Sequence, residues 1–274
     1  MSAPLPFQFA SAEIPLILVP ARINGQGPHH FLIDTGNGEN EPILFRPLAA
    51  ALGLTTYAEV EGPGVFGTIW TGRARLDQLE LGQTRLADLE ALVIDELQLP
   101  PVDLRPAGIL GHGFFRDRRL VIDYPSLTLE FAASSQGDVS GVPFSLGVPK
   151  PYVIIDARVD GGPVRSFLLD TGASGTTISP ALADELGLTV QPIEAVGIGG
   201  STTAGTTVVS WLEAAGRAER DAPVAVIDLF GSVSKAAGRR IDGVLGYPFL
   251  KRYRLEIDYP ARRLVLAAPE AGPR

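Results

Sequence analysis

The sequence predicts an all-β protein built as two like lobes, with one short helix in each. Three observations carry that prediction. The 274-residue chain repeats itself at half its length: Ala21-Arg22-Ile23-Asn24-Gly25 leads to Phe31 just as Ala157-Arg158-Val159-Asp160-Gly161 leads to Phe167, 136 residues on and without a gap. Its 31 glycines and 23 prolines favour many short strands and turns over long helices. The turn dipeptides Asn24-Gly25 and Asp160-Gly161 are each flanked by alternating or apolar runs, the signature of a tight hairpin. Two copies make a pair of lobes, since a solenoid needs several units to bury a continuous core.

The elements follow in order. Ile14–Val19 is too short and lacks the basic leader of a targeting segment; it aligns with Tyr152–Ile155 and reads as a core strand. After each hairpin, Phe31-Leu32-Ile33 and Phe167-Leu168-Leu169 run into Asp34-Thr35-Gly36 and Asp170-Thr171-Gly172. Ser179 as N-cap, Pro180 in the first helical position and Gly187 as the stop predict the helix of the second lobe. Pro47 and Gly53 frame its counterpart, where Arg46 is a poor cap. Glu61–Thr68 aligns with Glu194–Ser201 as two glycine-rich hairpin tips. Further on, 108–125 matches 243–260 at 10 of 18 positions, including the Asp-Tyr-Pro that ends each. The polar stretch Ser134–Gly141 is the natural linker, which divides the chain into lobes 1–136 and 137–274; Ala267–Arg274 reads as a frayed tail.

Composition narrows the function. The formal charge of −8 and the lack of Lys/Arg clusters exclude a nucleic-acid partner. Arg116–Arg119 and Lys251-Arg252 occupy matching places and read as solvated strand ends. With no cysteine, disulfides, thiolate catalysis and cysteine-ligated zinc are ruled out. His29, His30 and His112 form no metal-binding pattern, so neither a metal nor another cofactor is expected. No Gly-Lys-Ser/Thr follows a glycine-rich loop, and no Gly-x-Ser-x-Gly surrounds Ser174, which belongs to the Asp-Thr-Gly turn. No apolar run reaches a membrane span. The compartment is cytoplasmic if Met1 is the native start, and periplasmic or secreted if a signal peptide has been trimmed.

One Asp-Thr-Gly alone would be an ordinary polar turn. Two in register, with matching Ile109-Leu110-Gly111 and Val244-Leu245-Gly246 about 75 residues after each, bring two carboxylates together. Such a pair cannot both ionise easily, so it shares a proton and titrates as a unit. In these motifs the chain resembles the retropepsin-like aspartyl proteases, as a bacterial-type, two-lobed member of the aspartic protease superfamily, and the resemblance covers nearly the whole chain. It implies two β-barrel lobes about a pseudo-twofold axis. Each would contribute one catalytic aspartate, Asp34 or Asp170. With both lobes in cis, a monomer suffices where retroviral relatives dimerise.

The same resemblance implies that Thr35 and Thr171 bond across the interface, and that Gly111 and Gly246 lie in the loops crossing behind the aspartates. Gly36 and Gly172 are expected to bring their amides close to the carboxylates. Flaps at Gly64-Val65-Phe66-Gly67 and Gly197-Ile198-Gly199-Gly200 would close over an extended peptide or protein substrate. The expected activity is aspartic endopeptidase; the other reading is a catalytically silent peptide-binding or regulatory module. Two departures stand out. Many relatives carry Asp or Asn two residues after the second glycine, where this chain has Gly113 and Pro248. After Asp-Thr-Gly, Ala173 conforms and Asn37 does not. An Asn37 amide bonded to Asp34 would favour its ionised form, making Asp34 the base and Asp170 the acid. Trp70 and Trp211 fall near the flaps and read equally as core packing.

Overall fold

The computed structural model describes residues 4–63, 68–134, 140–197 and 200–268. Each half closes a six-stranded ring. In the first, Ile17–Ile23 pairs in turn with Gln26–Ile33, Gly108–Leu110, Ile43–Phe45, Thr84–Ile94 and Thr68–Leu81, and the last returns to Ile17–Ile23 through Arg22↔Glu80 and Ile23↔Leu79. In the second, Val153–Val159, Arg165–Leu169, Gly243–Leu245, Thr177–Ile178, Arg217–Val226 and Gly200–Ala214 follow the same order and close through Ala157↔Ala214. Closure leaves no exposed edge along the ring. Tyr57–Pro63 and Gln191–Gly197 extend each ring outward as hairpins with Thr68–Leu81 and Gly200–Ala214.

The turns form for local reasons. Asn24 and Gly25, like Asp160 and Gly161, all take positive φ, the geometry that joins twisted strands in two residues. Each turn is also tied to the long strand beside it, because Asn24 Oδ1 accepts from Gln78 N at 3.0 Å and Asp160 Oδ1 from Trp211 N at 2.7 Å. Ile17–Ile23 and Val153–Val159 share one burial alternation, so the same faces of both strands point into the cores. At the centre of each barrel lies a fully buried phenylalanine, Phe31 or Phe167. Each stands where a Cβ on Gly108 or Gly243 would fall within 2.5 Å of its ring. Burying such a side chain contributes about 2–3 kcal/mol, so the glycine is needed to make room.

Among the described residues there are five short helices, more than the one per lobe that the sequence suggests. Arg46–Ala51 and Pro180–Glu185 are the expected pair. Ser179 Oγ accepts from Leu182 N at 3.2 Å, whereas the first helix is preceded by Phe45, which makes no side-chain cap. His112–Phe115 and Tyr247–Leu250 are single turns started by Gly111 and Gly246. Phe230–Ala237 has no counterpart in the first lobe and ends on the left-handed Gly238. It covers Ile154, Leu168 and Val244. The matching face of the first lobe is covered by Leu97, Leu99, Val102 and Leu104, in a stretch whose Pro100-Pro101 forbids a helix.

A third sheet joins the halves, in the order Leu5–Pro6, Thr128–Ala132, Arg119–Asp123, Arg254–Asp258, Arg263–Ala267, Val142–Pro143. Its central strands are the repeated Arg-Leu-x-Ile-Asp segments, antiparallel, with Leu120↔Ile257 and Val121↔Glu256 in register. Val121 and Glu256 are equivalent positions of the repeat, so the pseudo-twofold axis passes through that pair. The basic segments expected to be solvated are in part engaged: Arg252 pairs with the buried Glu219 at 2.8 Å, and Arg118 reaches Phe114 O at 2.8 Å. The boundary between residues 136 and 137 falls in 135–139, outside the described residues.

Candidate active site

Both Asp-Thr-Gly loops sit where a ring strand ends on the axis. Gly108–Leu110 lies parallel to Phe31–Ile33 and antiparallel to Ile43–Phe45, between the outgoing and returning legs of the Asp34 loop. Gly243–Leu245 does the same between Phe167–Leu169 and Thr177–Ile178. The crossing strands fix the aspartates by their backbones: Asp34 N donates to Leu110 O and Asp170 N to Leu245 O, both at 3.0 Å. Gly111 and Gly246 follow directly. A Cβ on Gly111 would meet Asn37 O at 2.5 Å, and one on Gly246 would meet Gly175 O at 2.1 Å. His112 N then donates to Asn37 O and Tyr247 N to Ala173 O, tying each loop to the turn behind it. Gly113 answers one of the departures in the sequence. Its N–H donates to Glu39 O at 3.0 Å, and a Cβ there would stand 1.8 Å from Asn40 O, so the loop itself requires glycine.

The threonines lock the two loops together. Thr35 Oγ1 donates to Leu169 O and Thr171 Oγ1 to Ile33 O, each at 2.8 Å. In return Thr171 N donates to Thr35 Oγ1 at 3.0 Å and Thr35 N to Thr171 Oγ1 at 3.1 Å. Both residues are 2% exposed, so the four bonds run in an interface closed to bulk solvent, where an unmade bond is costly. Gly36 N donates to Asp34 Oδ1 at 2.8 Å and Gly172 N to Asp170 Oδ1 at 2.7 Å. Each glycine also abuts the opposite aspartate: a Cβ on Gly36 would stand 2.4 Å from Asp170 Cγ, and one on Gly172 2.6 Å from Asp34 Cγ. The two carboxyl groups therefore lie close enough across the axis for each to act on the titration of the other.

Burial raises both aspartates above the ordinary carboxylate value. For Asp34 the charge of Asp170 adds to burial, and the Gly36 and Asn37 amides oppose them. Asp170 faces amides of Gly172, Gly36 and Ala173, which favour its ionised form. Both are raised and they titrate as one coupled pair. The assignment of Asp34 as base, which required the Asn37 side-chain amide on its carboxylate, lapses. That side chain does not bond the carboxylate: its Oδ1 accepts from Glu39 N at 2.9 Å, and its buried Nδ2 has no partner. Its carbons pack beside Gly111.

One further segment lies beside the Asp34 loop without a signal in the repeat. The segment Gly147–Tyr152 is held by the helix Phe230–Ala237 through Val148 N to Ala237 O and Lys150 N to Ala236 O. It lies against Gly38, where a Cβ would be 3.2 Å from Lys150, Pro151 and Tyr152 alike. Lys150 pairs with Glu39 across the lobes. The Tyr152 hydroxyl is pushed up to about 12 by burial and then by Glu39, Asp34 and Asp170. Its aligned position in the first lobe is the buried Leu16, so the comparison of repeats gives no hint of it.

The flap tips 64–67 and 198–199 lie outside the described residues; that covers Gly64, Val65, Phe66, Gly67, Ile198 and Gly199. Gly197 and Gly200 form the last rung of the second hairpin. Trp70 pairs with Glu61 within the first hairpin and lies under Arg46 at 3.7 Å, and Arg46 in turn pairs with Asp95. Trp211 sits at the far end of the second hairpin, beside the Asp160 turn. Among the described residues no three His, Cys, Asp or Glu side chains gather as a metal centre would need.

The comparisons with known proteins agree with this geometry. The sequence model of a family described as aspartyl protease matches residues 19–114 and again 155–249, one stretch in each lobe. Among solved structures, the aspartic proteinase from Irpex lacteus has a similar fold. The TM-score is 0.55 at 13% identity, over 98% of this chain and 98% of that one. No curated protein matches the sequence.

Proposed function

The chain belongs to the aspartyl protease family, and on that premise we propose that it is an endopeptidase whose Asp34 and Asp170 share one proton. The single observation that supports this most is the reciprocal Thr35–Thr171 bonding, which holds two buried carboxyl groups in mutual contact. Asp170, facing three amides, is the ionised member and takes a proton from the attacking water. Asp34 holds the shared proton and donates a hydrogen bond to the carbonyl oxygen as charge develops on it; the proton taken from water passes to the leaving nitrogen. Neither a metal nor a covalent intermediate is required. The two glycine-rich hairpins close over an extended peptide and keep bulk water from the tetrahedral species. Since one chain supplies both aspartates, the working unit is a monomer.

Profiling the purified protein with a peptide library from acid to neutral pH tests the reading, with Asp34→Asn and Asp170→Asn as controls. Each variant should lose at least about a hundredfold in turnover, and a statin-type transition-state mimic should bind the parent protein. Wild-type turnover in either variant would end the shared-proton mechanism. Binding of the mimic with no cleavage of any peptide would turn the reading to a silent peptide-binding module.

A further inference from the structure

The sheet that joins the lobes carries polar groups that the chemistry above does not use. Tyr124 follows the central strand Arg119–Asp123 and Tyr259 follows its partner Arg254–Asp258. They are repeat equivalents, placed at opposite ends of the antiparallel pair by Tyr124 N to Tyr253 O and Tyr259 N to Arg118 O. Their surroundings are duplicated too. Leu5-Pro6-Phe7 recurs as Val142-Pro143-Phe144. Phe7 meets Tyr124 edge-on at 6.2 Å, and Phe144 meets Tyr259 at 6.0 Å. Each tyrosine is completed by a ring from the other repeat, Tyr247 at 6.0 Å from Tyr124 and His112 at 5.7 Å from Tyr259.

Tyr124 is 4%, Tyr259 2% and His112 8% exposed. Yet Tyr124 Oη, Tyr259 Oη and His112 Nδ1 are fully buried and make no hydrogen bond to any protein group. Buried hydroxyls are almost always paired, with protein or with ordered water. Three such atoms in two equivalent places, on either side of one axis, form a pattern that an isolated packing defect would not repeat. The places also lie within electrostatic reach of the aspartates, and in crossed fashion. After burial, the charge of Asp170 raises the Tyr124 hydroxyl and that of Asp34 raises the Tyr259 hydroxyl.

We propose that the joining sheet forms a hydrated floor to the active site: an internal water bridges Tyr259 Oη and His112 Nδ1 on the Asp34 side, and Tyr124 Oη holds its counterpart on the Asp170 side. The tyrosines are positioning residues. Through these waters they donate toward the carboxyl pair and favour its singly ionised state. Other titratable groups bear on the same region. Tyr152, packed against Gly38, lies within electrostatic reach of Glu39 and both aspartates, Lys150 pairs with Glu39, and burial raises Tyr247. Burial, then Arg116 and Arg262, lower His112 against the pull of Asp117, so its imidazole is neutral and can bond a water without charge.

The proposal rests on the shared-proton reading, and its test is arranged so that the two can fail separately. Tyr124→Phe and Tyr259→Phe are made in the full chain. Thermal unfolding and the carbon-13 shifts of the aspartate carboxyls against pH are then read, neither of which needs turnover. A hydroxyl satisfied by water should cost stability when removed, so each variant should melt a few degrees lower. Loss of the donated bond disfavours the ionised carboxylate. The pair should then titrate roughly half a unit higher, and any pH–rate profile should move to higher pH with it. A crystal structure at high resolution should show the two waters in the parent protein and lose one in each variant. A rise in melting temperature would mean the hydroxyls are unsatisfied in the native state and would overturn the proposal. So would a lower melting temperature with an unshifted carboxyl titration, which would leave the tyrosines structural. Absence of peptidase activity, with the carboxyl shifts as expected, would count against the proposed function and leave the hydrated floor standing.

Discussion

The two lobes use one scaffold for the site and two different coats around it. At the axis they are nearly interchangeable: Thr35 and Thr171, Gly36 and Gly172, and the crossing strands behind them make the same bonds to within 0.1 Å. Away from it they diverge. The first lobe covers its outer face with a proline-broken chain, and the second with the helix Phe230–Ala237. That helix holds Lys150 and Tyr152 against the loop of the opposite lobe, whereas the first lobe presents a buried Leu16 in the aligned place. The difference shows where symmetry is enforced. A carboxyl pair bonded across an axis needs matched frames, while a coat needs only enough apolar surface.

Substitution in the frame should break this comparison most severely, and equally from either side. Gly36→Ala and Gly172→Ala each push a methyl into the opposite carboxyl group, at 2.4 and 2.6 Å. Each should cost about 1–3 kcal/mol of stability by overpacking and roughly a hundredfold in turnover by displacing the pair. Markedly unequal losses between the two, by denaturant titration and kinetics, would mean the frame is not symmetric. Thr35→Val and Thr171→Val come next. Each removes one donor and one acceptor of the reciprocal set, for about 1–3 kcal/mol apiece. Because the four bonds lie in one buried interface whose two loops are held by both residues, the double variant should cost less than the sum of the two; strict additivity would argue against one network.

The aspartates sharpen the comparison through pH. Their folded-state values are raised, so the folded protein binds protons more readily than the unfolded chain. The stability this contributes is complete below the unfolded carboxyl value of about 4. It is lost as pH rises through the raised folded value. Melting temperature should therefore fall over that window in the parent protein. On the proposed assignment, Asp34→Asn replaces the proton-bearing member by a neutral group and should flatten the fall more than Asp170→Asn. Equal flattening would mean that the proton has no preferred side. The smallest effect belongs to the helix caps: Ser179→Ala should cost about 1 kcal/mol. The first-lobe helix, preceded by Phe45, has no such bond to lose.

Much of this was legible in the chain because it depends on local chemistry repeated in register. Asn24-Gly25 and Asp160-Gly161 announce their turns, since few other dipeptides accept two positive φ angles. Ser179-Pro180 announces a helix start, and the repeat itself calls for two lobes. What stayed hidden depends on partners distant in sequence. Arg119–Asp123 and Arg254–Asp258 read as one strand in each lobe; nothing in either says that they pair with each other. The single turns His112–Phe115 and Tyr247–Leu250 are too short for a periodic signal. Asn37 stays undecided in the sequence because its side chain has two bonds within reach, to the carboxylate or to Glu39 N, and the choice is made by how it packs against Gly111. Tyr152 escaped because a comparison of repeats finds only what both halves share.

The Val121↔Glu256 pair on the axis carries a lesson in partner choice. A strand that meets its own equivalent across a twofold is the arrangement of an isologous dimer, and a severed half-chain would carry the means to recombine with its own kind. Two first halves would set valine against valine. Two second halves would set glutamate against glutamate, like charges directly opposed across a ladder, which is unfavourable. In the intact chain Glu256 meets no second acid and lies between Arg119 at 3.4 Å and Arg254 at 3.1 Å. A one-residue difference at the axis thus discourages one of the two homotypic unions and leaves the union of unlike halves unopposed.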